Sequence, residues 1–142
     1  MSPQFQLAAQ TPELITAILT ALQADQDLQA WIGNPARIMD GELPAPAFPY
    51  IALERHETEP TDTVEHRGFQ HSLHFAAYIH NRSAQTARNL VSALWAAVER
   101  LKFSLSDQRV VLVLPTYGDV LRTKNQRILR GVLRVKLYTE EL

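Results

Sequence analysis

Residues 69–80 read FQHSLHFAAYIH. Phe69, His71, Leu73, Phe75, Ala77 and Ile79 occupy every second position, with Gln70, Ser72, His74, Ala76, Tyr78 and His80 between them. A period of two marks a β-strand with one packed face and one wetter face. A second alternation runs through 127–139. There Leu129, Gly131, Leu133, Val135 and Leu137 point inward, and Arg130, Val132, Arg134, Lys136 and Tyr138 point outward. These two segments predict an antiparallel sheet, and the rest of the chain is read around them.

Just upstream, FPYIALERHETEP at 48–60 begins apolar and ends charged. A strand over 50–58 that starts in a core must leave it, so its outer half meets something else. Pro49 lacks an N–H and suits a strand's first residue or an edge. EPTDTVEHR at 59–67 reads as a polar loop, and Arg37–Asp40 as a short strand. Prolines 44, 46 and 49 make Gly41–Pro49 a loop. Before it, Thr11-Pro12-Glu13 has the form of a helix start: cap, proline at the first position, acid near the positive end. Leu14, Ile15, Ile18, Leu19 and Leu22 follow at helical spacing. Asp25 and Asp27 either interrupt this helix or cap a second short one, and Gly33-Asn34-Pro35 ends it.

Downstream, Ser83 caps an amphipathic helix carrying Ala87, Leu90, Val91, Leu94, Val98 and Leu101, with Trp95 beside the stripe. Arg109–Leu114 (RVVLVL) reads as a strand stopped by Pro115, and Thr116–Gln126 as a polar connection. The expectation is one α+β domain over 1–142. It has a mainly antiparallel sheet of four to five strands and two principal helices, 12–32 and 84–102, on one face. Residues 1–10 show no pattern and form a candidate arm.

The 142 residues suit a single domain that buries roughly 70% of its unfolded surface. The absence of cysteine excludes disulfides and thiolate chemistry. No stretch nears the ~20 apolar residues of a membrane span. The start lacks the basic and apolar runs of a signal peptide. A soluble protein, kept in the cytoplasm or built into a particle there, is expected. The net charge of −1 argues against strong non-specific nucleic-acid binding. Residues 1–67 carry ten acids against three bases, −7, and residues 68–142 five acids against eleven bases, +6. Either two halves neutralise each other within one fold, or the subunit is polar and attracts its neighbour head to tail.

Histidines 56, 66, 71, 74 and 80 invite a metal reading that spacing opposes. His71 and His74 face opposite ways on a strand. His74 and His80 share a face but stand ~20 Å apart at ~3.3 Å per residue. No metal or cofactor is expected, and strand and loop histidines explain the cluster. Glu54, Glu57 and Glu59 have no nucleophile beside them, and a polar strand end explains them. The five glycines are scattered, with no phosphate loop, and no nucleophile elbow is present. No catalytic residue is assigned. The row Arg130, Arg134 and Lys136, preceded by Arg122, Lys124 and Arg127, lacks the aromatic interleaving of a stacking platform. Trp31 and Trp95 lie at helical spacing among aliphatics, which suits core or subunit contact.

The order of elements carries the strongest signal. Leu22-Gln23-Ala24-Asp25 and Leu28-Gln29-Ala30-Trp31-Ile32-Gly33 lead to Arg37-Ile38, a proline-rich loop and Phe48-Pro49-Tyr50-Ile51. A long strand pair, a helix and Arg130-Gly131-Val132-Leu133-Arg134-Val135 close the chain. Over roughly residues 12–140 this resembles the tail-completion, or tail-terminator, family of long-tailed bacteriophages and gene transfer agents. The resemblance implies a non-enzymatic virion protein. Its expected form is a six-fold ring of copies at the head-proximal end of the tail, ending the tail tube and joining it to the head connector or stopper. DNA is expected to pass through the ring lumen without sequence-specific binding. The partners implied are the chain itself and the tail-tube and connector proteins, with no membrane. Within that expectation the contact residues are Glu54, Arg55, His56, Glu57, Glu59, Asp62, Glu65, Arg67, Arg130, Arg134 and Lys136. The alternative is a monomeric α+β binding module or small enzyme of unrelated origin.

Overall fold

The computed structural model describes residues 12–41, 47–61, 67–125 and 127–142. The Thr11 cap, the candidate arm, most of the proline loop, and Asp62, Glu65 and His66 lie outside the described residues. The elements in order are α1 (Pro12–Gln23), α2 (Gln26–Ile32), β1 (Ile38–Asp40), β2 (Tyr50–Pro60), β3 (Gly68–His80), α3 (Ala84–Glu99), β4 (Gln108–Arg122) and β5 (Ile128–Glu141). They form one five-stranded sheet in the order β1-β2-β3-β5-β4. β1 pairs parallel to β2, and the other pairings are antiparallel. The expected α+β class and mainly antiparallel sheet are present.

The region read as one helix over 12–32 is two. Asp25 stands between them with extended backbone, and its carboxylate accepts from the Leu28 N–H at 3.1 Å. An acid that caps a new helix cannot also continue the old one. The same carboxylate pairs with Arg100 at the end of α3, at 2.9 Å. Gly33, at φ +92°, ends α2 in a conformation that suits glycine. Ser83 caps α3 as expected, its side chain accepting from the Thr86 N–H.

β3 and β5 keep the alternation that predicted them. Leu73, Phe75, Ala77, Leu129, Leu133, Val135 and Leu137 are buried in one core with Leu14, Ile18, Leu28, Leu90 and Leu94 of the helices. α3 crosses β4 and β5 where Gly118 and Gly131 lie; a Cβ on Gly118 would sit 3.4 Å from Val91. The inner face is therefore the helix face, and the outer face of the sheet carries no helix among the described residues.

Three expectations are corrected. β2 runs to Pro60, so Glu59 is a strand residue opposite Gln70 rather than a loop residue. β4 does not stop at Pro115, and residues 116–122 are strand rather than connection. β4 is an edge strand, where a missing N–H costs no ladder bond on its open side. Register shifts between Val110 and Leu112 and between Pro115 and Tyr117 absorb the misfit. α3 also ends at Glu99, short of the expected 102.

Candidate interaction surface

The outer face is organised by one irregularity. β2 and β3 pair Leu53 with Phe75 and then Arg55 with His74, so Glu54 is an extra residue in β2. Such a bulge reverses the in–out order of every residue beyond it. Without it, Arg55, Glu57 and Glu59 would follow Ile51 and Leu53 into the core. With it, they stand beside His74, Ser72 and Gln70 on the outer face. His56 and Thr58 turn inward instead, opposite Leu73 and His71.

Three groups of side chains result. At one end of the sheet, Glu54 accepts from the Tyr78 hydroxyl and pairs with Arg130. Burial, then the Glu54 hydrogen bond, holds the Tyr78 hydroxyl above its ordinary pKa. Tyr50 stacks on Tyr78 with ring centroids 5.0 Å apart, and Phe48 packs against Tyr50 and His80. Glu54 and Arg130, both expected at an interface, thus have each other as partners within one chain.

The middle of the face is exposed and mostly basic. Arg55 and Glu57 form an exposed pair at 2.7 Å. The Arg134 guanidinium lies 5.0 Å from the Tyr117 ring centroid, a cation–π geometry. The Lys136 ammonium donates to Ser72 Oγ at 3.2 Å. Among them sits His74. Partial burial and the charges of Arg134, Arg55 and Lys136 hold it below the ordinary histidine range, and Glu57 opposes them. Arg67 begins the β3 side, its carbonyl accepting from the Glu141 N–H at 2.9 Å.

The third group faces the core, and sequence reasoning missed it. His71 is fully buried. Its Nδ1 lies 2.9 Å from His56 Nε2 and 3.1 Å from Thr58 Oγ1. Its Nε2 lies 3.2 Å from Thr139 Oγ1, and the Thr139 hydroxyl donates to Gln108 Oε1. That last bond fixes the others. Thr139 has used its proton, so it accepts from His71 Nε2–H, which leaves His71 Nδ1 as an acceptor for His56 Nε2–H. The chain of bonds ties β2, β3, β5 and β4 together with two neutral imidazoles. Burial, then the neighbouring His56, lowers the His71 pKa to about 4. Burial also lowers His56, with Asp40 opposing. His56, expected at a subunit contact, is half-buried on the helix face of the sheet and bonds to His71. The bulge that puts it there left no mark in the alternation. Among the described residues no three His, Cys, Asp or Glu side chains gather as a metal would need.

This surface presents charged and aromatic side chains on the open face of the sheet. The family model described as tail completion protein gp17 matches residues 16–140. The chain belongs to that family. A chain of a solved structure titled as the virion of a native gene transfer agent particle is similar, with a TM-score of 0.79 at 21% identity. The match covers 90% of this chain and 95% of that one. Likeness at that identity speaks for the shared fold. No curated protein matches the chain. As a tail completion protein it is a structural component of the virion tail, in a family of structural proteins rather than enzymes. No helix among the described residues is long and apolar enough to cross a membrane.

Proposed function

We propose that this tail completion protein forms a six-membered ring at the head-proximal end of the tail, where it ends the tail tube and joins it to the head connector. The observation that carries this reading is the uncovered outer face. Glu57 and Glu59 line one margin of it, and Arg134 and Lys136 lie two strands away on β5. A face that carries acids along its β2 margin and bases on β5 favours a heterologous contact, which closes into a ring when its rotation closes. Family membership removes the expectation of an unrelated origin. In this reading DNA crosses the lumen without a basic grip, because each phosphate contact would add salt-dependent affinity and hinder ejection.

Imaging of particles carrying a labelled copy should place the label between tube and connector. Particles made without this chain should show unjoined heads and tails. Label in the capsid shell or at the distal tail tip would refute the reading.

Charge reversal tests the contact itself. Arg134→Glu should weaken assembly, since an exposed pair contributes at most about 1 kcal/mol but recurs at every subunit junction of the ring. Glu57→Lys in the same chain should partly restore joined particles. If Arg134→Glu assembles normally yet changes DNA retention, the face lines the lumen and the assignment to a neighbour is wrong.

A further inference from the structure

β4 has a property that ring formation by charge does not use. Seven large apolar side chains are exposed among the described residues, and five are on this one strand: Val111, Leu112, Leu114, Tyr117 and Leu121. Leu112, Leu114, Tyr117 and Leu121 stand opposite Tyr138, Lys136, Arg134 and Arg130, so they form a row on the outer face. Each is 44–48% exposed. β4 is also the sheet's last strand, 15 residues long, with β5 on one side and, among the described residues, no strand on the other. Natural edges of this length are blunted by charge or covered, because they template pairing with another chain. Between Arg109 and Asp119 this edge carries no charged residue.

The opposite side of the sheet supplies a matching margin. β1 reaches only Ile51–Leu53 of β2. Beyond it lie the outward Glu57 and Glu59. The ladder sets the heights: Glu57 is level with Ser72, Ser72 with Lys136, and Lys136 with Leu114. Likewise Glu59, Gln70, Tyr138 and Leu112 form one level. Turning a copy about an axis along the strands keeps these levels. It sets the next copy's β2 antiparallel to β4, the better ladder orientation. Glu57 of that copy then lies ~10 Å from Lys136, at ~4.8 Å per strand step, with Leu114 between them. Two long side chains reaching toward each other cover the leucine with their methylenes and bring their charges together.

We propose that β4 is the seam between copies: its apolar row is covered by a second copy of this chain, docked head to tail with the 54–60 margin of β2 alongside. This rests on the ring reading and adds the face and the register to it. Charge patterning singled out Glu57, Glu59 and Lys136 but not the apolar row of β4. RVVLVL reads as a strand, and its apolar residues at both parities require cover on both faces.

The chain has no cysteine, so engineered ones report without background. Leu114→Cys with Glu57→Cys, oxidised in intact particles, should give a ladder of covalent multimers. Either single variant should give none. Dimers from Leu114→Cys alone would place two β4 edges face to face and overturn the head-to-tail seam. An uncross-linked double variant, in particles whose tails carry the chain at their head end, would overturn the seam and leave the ring reading intact. Absence of the wild-type chain from that end would overturn both. A second variant guards against a folding artefact: Leu114→Lys, at an exposed site, should melt as the wild type does yet reduce joined particles at least tenfold. Normal joining by Leu114→Lys would also overturn the seam.

Discussion

Acidification from neutral pH to about 4 should remove roughly 3 kcal/mol of folding stability through His71 alone. Its imidazole is neutral in the fold, with the pKa lowered from 6.5 to about 4 by burial and then by His56. Above 6.5 neither the folded nor the unfolded chain holds that proton, and the stability is whole. As the pH falls from 6.5 toward 4 the unfolded chain takes it up and the folded chain does not, so stability drops. Below the folded value the loss levels off. The structural reason is the fixed direction of the bonds. A proton on His71 Nδ1 would meet His56 Nε2–H, donor against donor, at a fully buried position. Burial shifts His56 the same way and steepens the slope. Urea unfolding of the wild type and of His71→Gln across this range separates the effect from carboxylate titration, which both proteins share. The wild type should lose more stability than the variant. Equal slopes would show that His71 does not titrate as the geometry requires.

Gly131→Ala should destabilise the protein by about 1–3 kcal/mol, although alanine suits a strand better than glycine does. A Cβ at 131 would run into Val91 Cγ2 of α3, and on its other side lies Ala77 at 3.7 Å. Valine is stiff in a helix, so it cannot swing aside. The cost falls on the contact that seats α3 against β4 and β5. Val91→Ala should relieve it, and the double variant should be less destabilised than the sum of the two single changes. Additive losses in denaturant melts would place the strain elsewhere.

These sites differ in how far the sequence announces them. Gly131 sits at an inward position of an unbroken alternation, so its face was legible, though not the helix above it. The packed and open faces of β3 and β5, the helical stripe of α3 and the end of α2 at Gly33 were legible for the same reason, whereas Asp25 stood between interrupting one helix and capping a second. Each follows from spacing within a few turns of one element, where neighbours along the chain decide the outcome. The outward places of Arg130, Arg134 and Lys136 belong with them.

β2 and β4 were not legible in this way. Continued alternation from Ile51 and Leu53 puts Arg55, Glu57 and Glu59 inside and His56 outside, and the structure holds the reverse. One extra residue at Glu54 moves the charges to the outer face, and His56 reaches His71, 15 residues away in sequence. Pro115 reads as a stop, and it would be one in a central strand. Only the insertion of β5 between β3 and β4 makes β4 an edge that tolerates it. The difference is physical. Periodicity records which residues gain by burial, and that term is local to each element. Bulges, edges and the order of strands are chosen by partners distant in the chain, through hydrogen bonds that exist only once the sheet is assembled.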